Sequence, residues 1–123
     1  MKTSSLQLLP STSHGTPSGN YDGSSLDFSG DRIKAASYYL SGKSLQTVAF
    51  FITDFEGSIK IQATLDSDPT VDNQWFDIYE LPSDGSSIQT LTTSINLTGN
   101  YTWIRAFVSD FTAGTINKIT LSY

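Results

Sequence analysis

Apolar and polar residues alternate along residues 55–79, and this alternation predicts a β-hairpin. Within residues 59–65 every second residue is apolar, a period of two that puts one apolar row on one face of a sheet. Residues 66–73 are turn formers and include a proline, which cannot donate to a strand ladder. Aromatic and β-branched residues then predict a second strand over residues 74–81. The row predicted to face the core is Ile59, Ile61, Ala63 and Leu65.

The same alternation over residues 100–123 predicts a second hairpin. Its turn is predicted at residues 109–110, and the Ala-Gly pair at residues 113–114 closes the loop. A terminal strand paired inside a sheet is held in place, so we expect Tyr123 to be ordered. The two hairpins share a pattern without sharing a sequence, so no internal repeat is predicted. The inward row of the first arm is predicted to be Ile104, Ala106 and Val108.

The rest of the chain reads as shorter strands separated by turns. Residues 45–53 form a dense apolar run that predicts a central strand ended by Asp54. Weaker strands are predicted over residues 26–28, 33–40, 88–91 and 94–97. Eight or nine short strands without a convincing helix predict an all-β fold, an antiparallel β-sandwich or jelly roll of about eight strands.

The first 20 residues contrast with the remainder. Residues 10–20 are nearly all turn and linker residues, and the only apolar cluster before them is Leu6, Leu8 and Leu9. We therefore expect an N-terminal arm over residues 1–20 and a β-sandwich domain over residues 21–123. The leucines of such an arm are candidates for a contact with a neighbouring subunit, as in strand addition.

Composition limits the classes of partner. The formal net charge is −5 and only 15% of the residues are charged, which argues against a nucleic acid or an anionic membrane as partner. The chain has no cysteine, so the fold relies on its core without disulfides. We expect neither a secretory signal nor a membrane span, because the early apolar run is too short.

Few residues suggest catalysis. His14 is the only histidine, so no Ser/His/Asp or Cys/His system can be assembled, and we expect neither an enzyme nor a cofactor. The acidic turn Asp66, Asp68 and Asp72 resembles a calcium loop only incompletely, and a solvated turn is the simpler interpretation, so no metal is expected. Asp77 and Glu80 could imitate a carboxylate pair of the glycosidase type, but the polar face of a strand is the interpretation we favour.

Aromatic residues supply the remaining candidates. Exposed rings stack on sugars, but rings also serve in β-sandwich cores and subunit contacts, which is the interpretation we favour. Arg105 lies inside an apolar strand and is a candidate for a paired arginine at a subunit contact. The aromatic residues considered are Tyr38, Tyr39, Trp75, Tyr79, Tyr101 and Trp103. Of these, Trp75 and Trp103 join Arg105, Leu6, Leu8 and Leu9 as the candidate interface residues.

Three runs of the sequence resemble a family of small structural proteins from the virions of tailed bacteriophages, especially those with contractile tails. The runs are YDGSSLDFSG, FEGSIKIQATLDSDPTVDNQWFDIY and LTGNYTWIRAFVSDFTAGTINKI. The resemblance covers most of the chain from about Tyr21 onward. The turn is longer than the family pattern at residues 71–73.

The resemblance implies an all-β virion module without catalytic activity. Its expected partners are other virion proteins, and it is expected to form a homo-oligomer or to be bound in a lattice. It implies synthesis in the host cytoplasm and a final location in the virion. The alternative from the aromatic residues is a carbohydrate-binding module on the particle surface, with a glycan as ligand.

Overall fold

The protein is an antiparallel all-β structure in the computed structural model, which describes residues 5–38, 44–81 and 88–123. Within these residues eight strands form one sheet, and there is no α-helix, only a 3-10 turn at Asp72–Gln74. This confirms the predicted all-β class and strand number, while jelly-roll connectivity stays a prediction. The strands are β1 (Ser5–Leu9), β2 (Thr12–Ser13), β3 (Phe28–Ser29), β4 (Ile33–Lys34), β5 (Leu45–Thr64), β6 (Phe76–Leu81), β7 (Ile88–Thr98) and β8 (Trp103–Ser122). None of the described residues forms a helix long and apolar enough to cross a membrane.

Strands β5 and β8 form the centre of the sheet. Each is 20 residues long, and they pair antiparallel from Thr47 opposite Ser122 to Thr64 opposite Trp103. The edge of β5 that faces away from β8 pairs with β7 along its first half and with β6 along its second half. The other edge of β8 is covered in turn by β4, β3, β2 and β1. The predicted hairpin of β5 with β6 is confirmed.

One predicted strand end and one predicted hairpin turn are kinks inside these long strands. The sequence predicts a strand end at Asp54 and a turn at residues 109–110, but β5 and β8 continue through both points. Asp54 and Asp110 adopt positive φ angles of 51° and 54°. The pairing of β5 with β8 changes register at the same place, between Thr53 and Ser58 of β5. A local bulge of this kind bends and twists a strand without reversing it. Turn-type residues therefore marked the right positions but the wrong structure.

The two kinks pack against each other through glycines. Gly114 (φ +91°) lies so close to the backbone of Asp54 that an added Cβ would collide with its carbonyl, and Gly57 (φ +150°) faces Asp110 in the same way, with the carbonyl oxygen 2.9 Å from such a Cβ. Glycine tolerates both the positive φ and the close approach. Each strand thus carries an aspartate and a glycine that fit the kink of the other.

The kinks also share a sequence. Residues 51–57 read FITDFEG and residues 107–114 read FVSDFTAG, one residue longer. The likeness is limited to these two short segments, which lie at the kinks of two strands that pair with each other. The absence of an internal repeat between the two predicted hairpins stays a prediction.

Each kink divides its strand, and the sheet has two halves. The β7 half contains residues 45–52 and 116–122 with β1, β2 and β7, and the β6 half contains residues 59–64 and 103–108 with β3, β4 and β6. Apolar rows of both halves belong to a single buried cluster. Phe50 of the β7 half touches Tyr79 of the β6 half, with ring centroids 5.9 Å apart. The sheet therefore folds at the kinks over one core, as in a sandwich.

The predicted inward rows are confirmed with one exception. Ile59, Ile61 and Ala63 are fully buried, as are all three predicted residues of β8, Ile104, Ala106 and Val108. Leu65, predicted to continue the first row, is 65% exposed because β5 ends at Thr64. Beyond the last ladder pair the backbone no longer holds the alternation, so Leu65 turns outward.

The N-terminal residues belong to the domain. Residues 5–9 form β1 and pair with the end of β8, and Leu8 and Leu9 are 1% and 2% exposed within the core. Leu6 also packs against the core cluster. An arm outside the domain is therefore wrong for residues 5–20. Burial of Leu8 and Leu9 contributes about 1.5–3 kcal/mol each, and burial within the same chain avoids the entropy cost of association with a neighbour.

The connection from β2 to β3 crosses from one half to the other and is held by aromatic packing. Tyr21 is buried against Phe28 and Phe111, with centroids 4.8 and 5.2 Å away, and His14 meets the ring of Phe111 edge-on. Residues that read as a linker thus cover the apolar junction at the kink of β8. The long-range packing outweighs the local turn preference.

A local turn also orders this connection. The Asp22 carboxylate accepts hydrogen bonds from the backbone N–H groups of Ser24 and Ser25, at 2.9 and 2.7 Å, and from the Ser25 hydroxyl. These bonds favour the ionised form and lower the pKa of Asp22 from 3.8 to about 2. Asp22 is solvent-exposed, so this is a local effect.

Candidate interaction surface

Three of the predicted interface residues lie together and three do not. Trp75, Trp103 and Arg105 share the outer face of the β6 half, whereas the leucines of β1 are in the core or pack against it. The pairing of β8 explains the grouping. Because Ile104 and Ala106 point inward, the intervening residues of β8 point outward.

Arg105 is buried on this outer face by a tryptophan. Its guanidinium lies over the ring of Trp75, 4.5 Å from the centroid, and only 9% of the residue is exposed. Its Nε donates a 2.8 Å hydrogen bond to Oε1 of Gln62, which in turn donates to Asp77 at 2.9 Å. Lys60 lies 3.7 Å from the other oxygen of Asp77. A polar row therefore crosses β8, β5 and β6 and fixes the arginine beneath the ring.

Trp103 is held in a similar way by an arginine that the sequence analysis did not single out. The guanidinium of Arg32 lies 4.4 Å from the ring centroid of Trp103 and forms a 3.1 Å ion pair with Asp68. The indole N–H of Trp103 donates to the carbonyl of Ser67 at 2.9 Å. Tyr38 meets the same ring edge-on, 5.0 Å between centroids. The acidic turn is thus attached to the sheet through Arg32 and Trp103.

These side chains form one surface, which we call the aromatic–cation face. Its members are Arg32, Lys34, Tyr38, Trp75, Trp103 and Arg105. Lys34 lies over the ring of Tyr38 at 4.9 Å, so each of the three rings is contacted by a cation. Cation–π contacts hold flat side chains at defined angles, and the β-sheet beneath them is rigid. The face is therefore organised before any partner arrives.

Sequence patterns could not identify every member of this face. Arg32 and Lys34 are near or within a strand of two residues, too short to show a period. Their position next to Trp103 comes from the pairing of β4 with β8, 69 residues apart for Lys34 and Trp103. The outward alternation of β8 was the one available signal, and it pointed to Trp103 and Arg105.

The remaining aromatic candidates divide between the two sides of the sheet. Tyr79 and Tyr101 pack against the core cluster, and Tyr101 also contacts Phe76 at 6.0 Å. Tyr39 lies outside the described residues. The candidate set therefore does not form one platform, and its outer members are Tyr38, Trp75 and Trp103.

The acidic candidates are used in separate contacts. Asp68 pairs with Arg32, and the side chain of Asp72 lies outside the described part of the chain. Glu80 accepts a 2.9 Å hydrogen bond from Ser58, and Asp77 accepts one from Gln62. The two carboxylates therefore bond to different residues of β5. Within residues 5–38, 44–81 and 88–123, no three acidic, histidine or cysteine residues come together as a metal site.

The outer face of the β7 half has another chemistry. Thr47 donates a 2.8 Å hydrogen bond to Asn96 across β5 and β7, and Asn117 donates to Thr53 at 3.0 Å. Lys118 lies over Phe51, 5.0 Å from its centroid. We call this surface the hydroxyl face. Its members are Thr47, Phe51, Thr53, Thr92, Ser94, Asn96, Asn117, Lys118 and Thr120.

Comparison with known protein families finds no family model that matches this chain. Comparison with curated proteins finds no significant match.

Proposed function

We propose that the chain is a non-enzymatic structural subunit of a tailed-phage virion, for capsid decoration or for the neck or tail, and that it acts through protein–protein contacts. The resemblance of its three sequence runs to such proteins supports this role. The contact surface is proposed from one observation: the outer face of the β6 half has two tryptophans, and an arginine lies over each. The proposed location is the virion, after synthesis in the host cytoplasm.

The chemistry of the aromatic–cation face suits a protein partner. Tryptophan, tyrosine and arginine are the residues most enriched among those that dominate binding energy at protein interfaces. Here Trp75 and Trp103 are half-buried and fixed by cations, so little side-chain entropy is lost when a partner covers them. Such a pre-organised face suits a permanent position beside other virion proteins.

A carbohydrate-binding module on the virion surface is the second candidate. It is supported by the half-exposed rings of Trp75 and Trp103 on one side of the sheet. Sugar stacking needs an open ring face, however, and Arg105 and Arg32 each cover one face of a ring. This geometry favours the protein contact over the glycan.

The test of the virion role is a mass-spectrometric inventory of purified particles from cells that carry the gene, with copy number per particle. Presence at a fixed, repeated copy number is the expected result. Absence from particles, together with binding of a soluble glycan that is lost in Trp75→Ala, would replace the first proposal by the second. Absence from particles without glycan binding contradicts both.

Charge reversal tests whether the aromatic–cation face makes the contact. Arg32→Glu places a carboxylate beside Trp103 and Asp68, and we expect it to lower the particle copy number at least tenfold. Lys118→Glu makes the same charge change on the hydroxyl face and should leave the copy number unchanged. Equal incorporation of both variants, with melting temperatures near that of the unmodified protein, excludes this face as the contact.

A further inference from the structure

Strand β7 forms an unusual edge of the sheet. It is 11 residues long and, among the described residues, pairs only with β5. Its sequence, IQTLTTSINLT, contains no charged residue, no proline and no glycine. The outward backbone N–H and C=O groups of a strand of this kind are ready to pair with another strand.

The edge strands β6 and β1 have features that prevent pairing with another strand. Strand β6 has only six residues, carries Asp77 and Glu80, and is interrupted by a register shift against β5. Strand β1 has five residues, a register shift and Pro10 directly after it. Short length, charge, bulges and proline are the devices by which natural sheets prevent edge pairing. Strand β7 has none of them over residues 91–98.

The regularity of this segment makes it a good template. Residues 91–98 pair one by one with residues 45–52 of β5. The shift in register lies outside this segment, between Gln89 and Leu91. The side chains described as exposed along it are small and neutral, namely Thr92, Ser94, Asn96 and Thr98. The edge is therefore regular in register and uncharged for eight residues.

We propose that β7 pairs antiparallel with β7 of a second copy of this chain, joining two sheets across a two-fold axis near Ser94. A two-fold contact brings identical residues together, so a charged strand would repel itself, and β7 avoids this although the whole chain carries a net charge of −5. Hydroxyl and amide side chains opposite their own copies form favourable cross-strand pairs. Self-complementarity is what favours a second copy over an unrelated partner.

The contact is small, and this determines its strength. Eight paired residues extend over roughly 27 Å at about 3.4 Å per residue. A single added strand falls below the area of a standard stable interface, so we expect a dissociation constant on the order of 100 μM for the isolated dimer. The inference concerns a surface other than the aromatic–cation face and holds whether or not the chain is a virion subunit.

Sedimentation of the purified chain from about 10 μM to 1 mM tests the pairing. We expect a monomer–dimer equilibrium that Ser94→Lys weakens at least tenfold, because it places two ammonium groups near the axis. Gln7→Lys introduces the same charge at an exposed position on β1, the opposite edge, and should leave the equilibrium unchanged. A protein that is monomeric at 1 mM, or a dimer that both variants weaken equally, overturns the proposal.

Introduced cysteines give a second test that does not depend on charge. Because the chain has no cysteine, Thr92→Cys, Ser94→Cys and Asn96→Cys each create a single thiol. At least one of them should form a covalent dimer under mild oxidation, and Gln7→Cys should not. If Gln7→Cys cross-links as readily as all three, the dimer does not use β7 and the proposal is wrong.

Discussion

The β7 half and the β6 half are built on the same two strands yet present different outer surfaces. Inside, both use one row of apolar residues on β5 and one on β8, such as Phe50 opposite Ile119 and Ile61 opposite Ala106. Outside, the β6 half carries arginines and tryptophans, and the β7 half carries hydroxyl and amide groups with one lysine over a phenylalanine. The comparison separates what the fold needs from what remains free for function.

The likeness of the inner rows has a simple cause. Both halves must close over one core, and the kink at Asp54 shifts the inward row of β5 from even to odd residue numbers. On β5 the buried positions change from 48, 50 and 52 to 55, 59, 61 and 63. The outer rows face solvent and carry no such constraint, so they can differ without cost to the core.

The largest expected loss of stability comes from a substitution at the kinks, where the two halves meet. Gly114→Ala adds a Cβ that collides with the Asp54 backbone at φ +91°, and we expect a loss of about 3–5 kcal/mol in the free energy of unfolding, or failure to fold. Gly15→Ala is the control, because Gly15 has φ +87° and nothing within 4 Å. It should cost only the backbone strain, about 1–2 kcal/mol. Urea unfolding measures both, and equal losses would show that the kinks do not depend on close packing.

Two glutamines of β5 have different surroundings, one inside the β7 half and one on the outer face of the β6 half, so their replacement should change the free energy of unfolding by different amounts. Gln46 is fully buried, accepts from the N–H of Ala36 at 3.0 Å and donates to the carbonyl of Ser44 at 2.9 Å, whereas Gln62 lies on the outer face. Gln46→Leu leaves buried polar groups unpaired and should cost about 2–3 kcal/mol. Gln62→Leu should cost less, about 1–1.5 kcal/mol, because the exposed Asp77 can bond to water while Arg105 loses one hydrogen bond. A larger loss for Gln62→Leu in urea unfolding would contradict this ranking.

Both outer faces contain cation–π pairs, and double-mutant cycles can compare one pair from each face. We expect a coupling free energy of about 1 kcal/mol between Arg105 and Trp75, since the guanidinium is largely shielded from water. Lys118 over Phe51 is exposed, and its coupling to the ring should be roughly 0.5 kcal/mol or less. The cycles use Arg105→Met with Trp75→Leu and Lys118→Met with Phe51→Leu. Equal couplings would mean that the aromatic–cation face is not specially organised.

The smallest expected effect concerns the connection that crosses between the halves. Because the folded-state pKa of Asp22 is lowered to about 2, its ionised form stabilises the turn above pH 3.8, and this contribution is lost as the pH falls through about 2. The difference in melting temperature between the unmodified protein and Asp22→Asn should therefore shrink from pH 5 to pH 2. An NMR titration of Asp22 with a midpoint near 4 would show that the turn is not held by these hydrogen bonds.

The sequence by itself determined the all-β class, the inward rows over residues 59–63 of β5 and 104–108 of β8, and the outward direction of Trp103 and Arg105. These features follow from a period of two, which is a local property of the chain. Even the kink positions were visible as turn residues. A sequence shows that the backbone departs from the ladder at Asp54 and Asp110, but both a reversal and a bulge use the same residue types.

Only the tertiary structure decided between those alternatives, because the pairing of β5 with β8 joins residues up to 75 positions apart, as at Thr47 and Ser122. The same long-range pairing placed β1 in the sheet, brought Arg32 to Trp103 and left β7 at an edge. Burial of Leu8 and Leu9 outweighed the linker-like sequence after them, since a turn preference of a few tenths of a kcal/mol cannot compete with the burial of two leucine side chains.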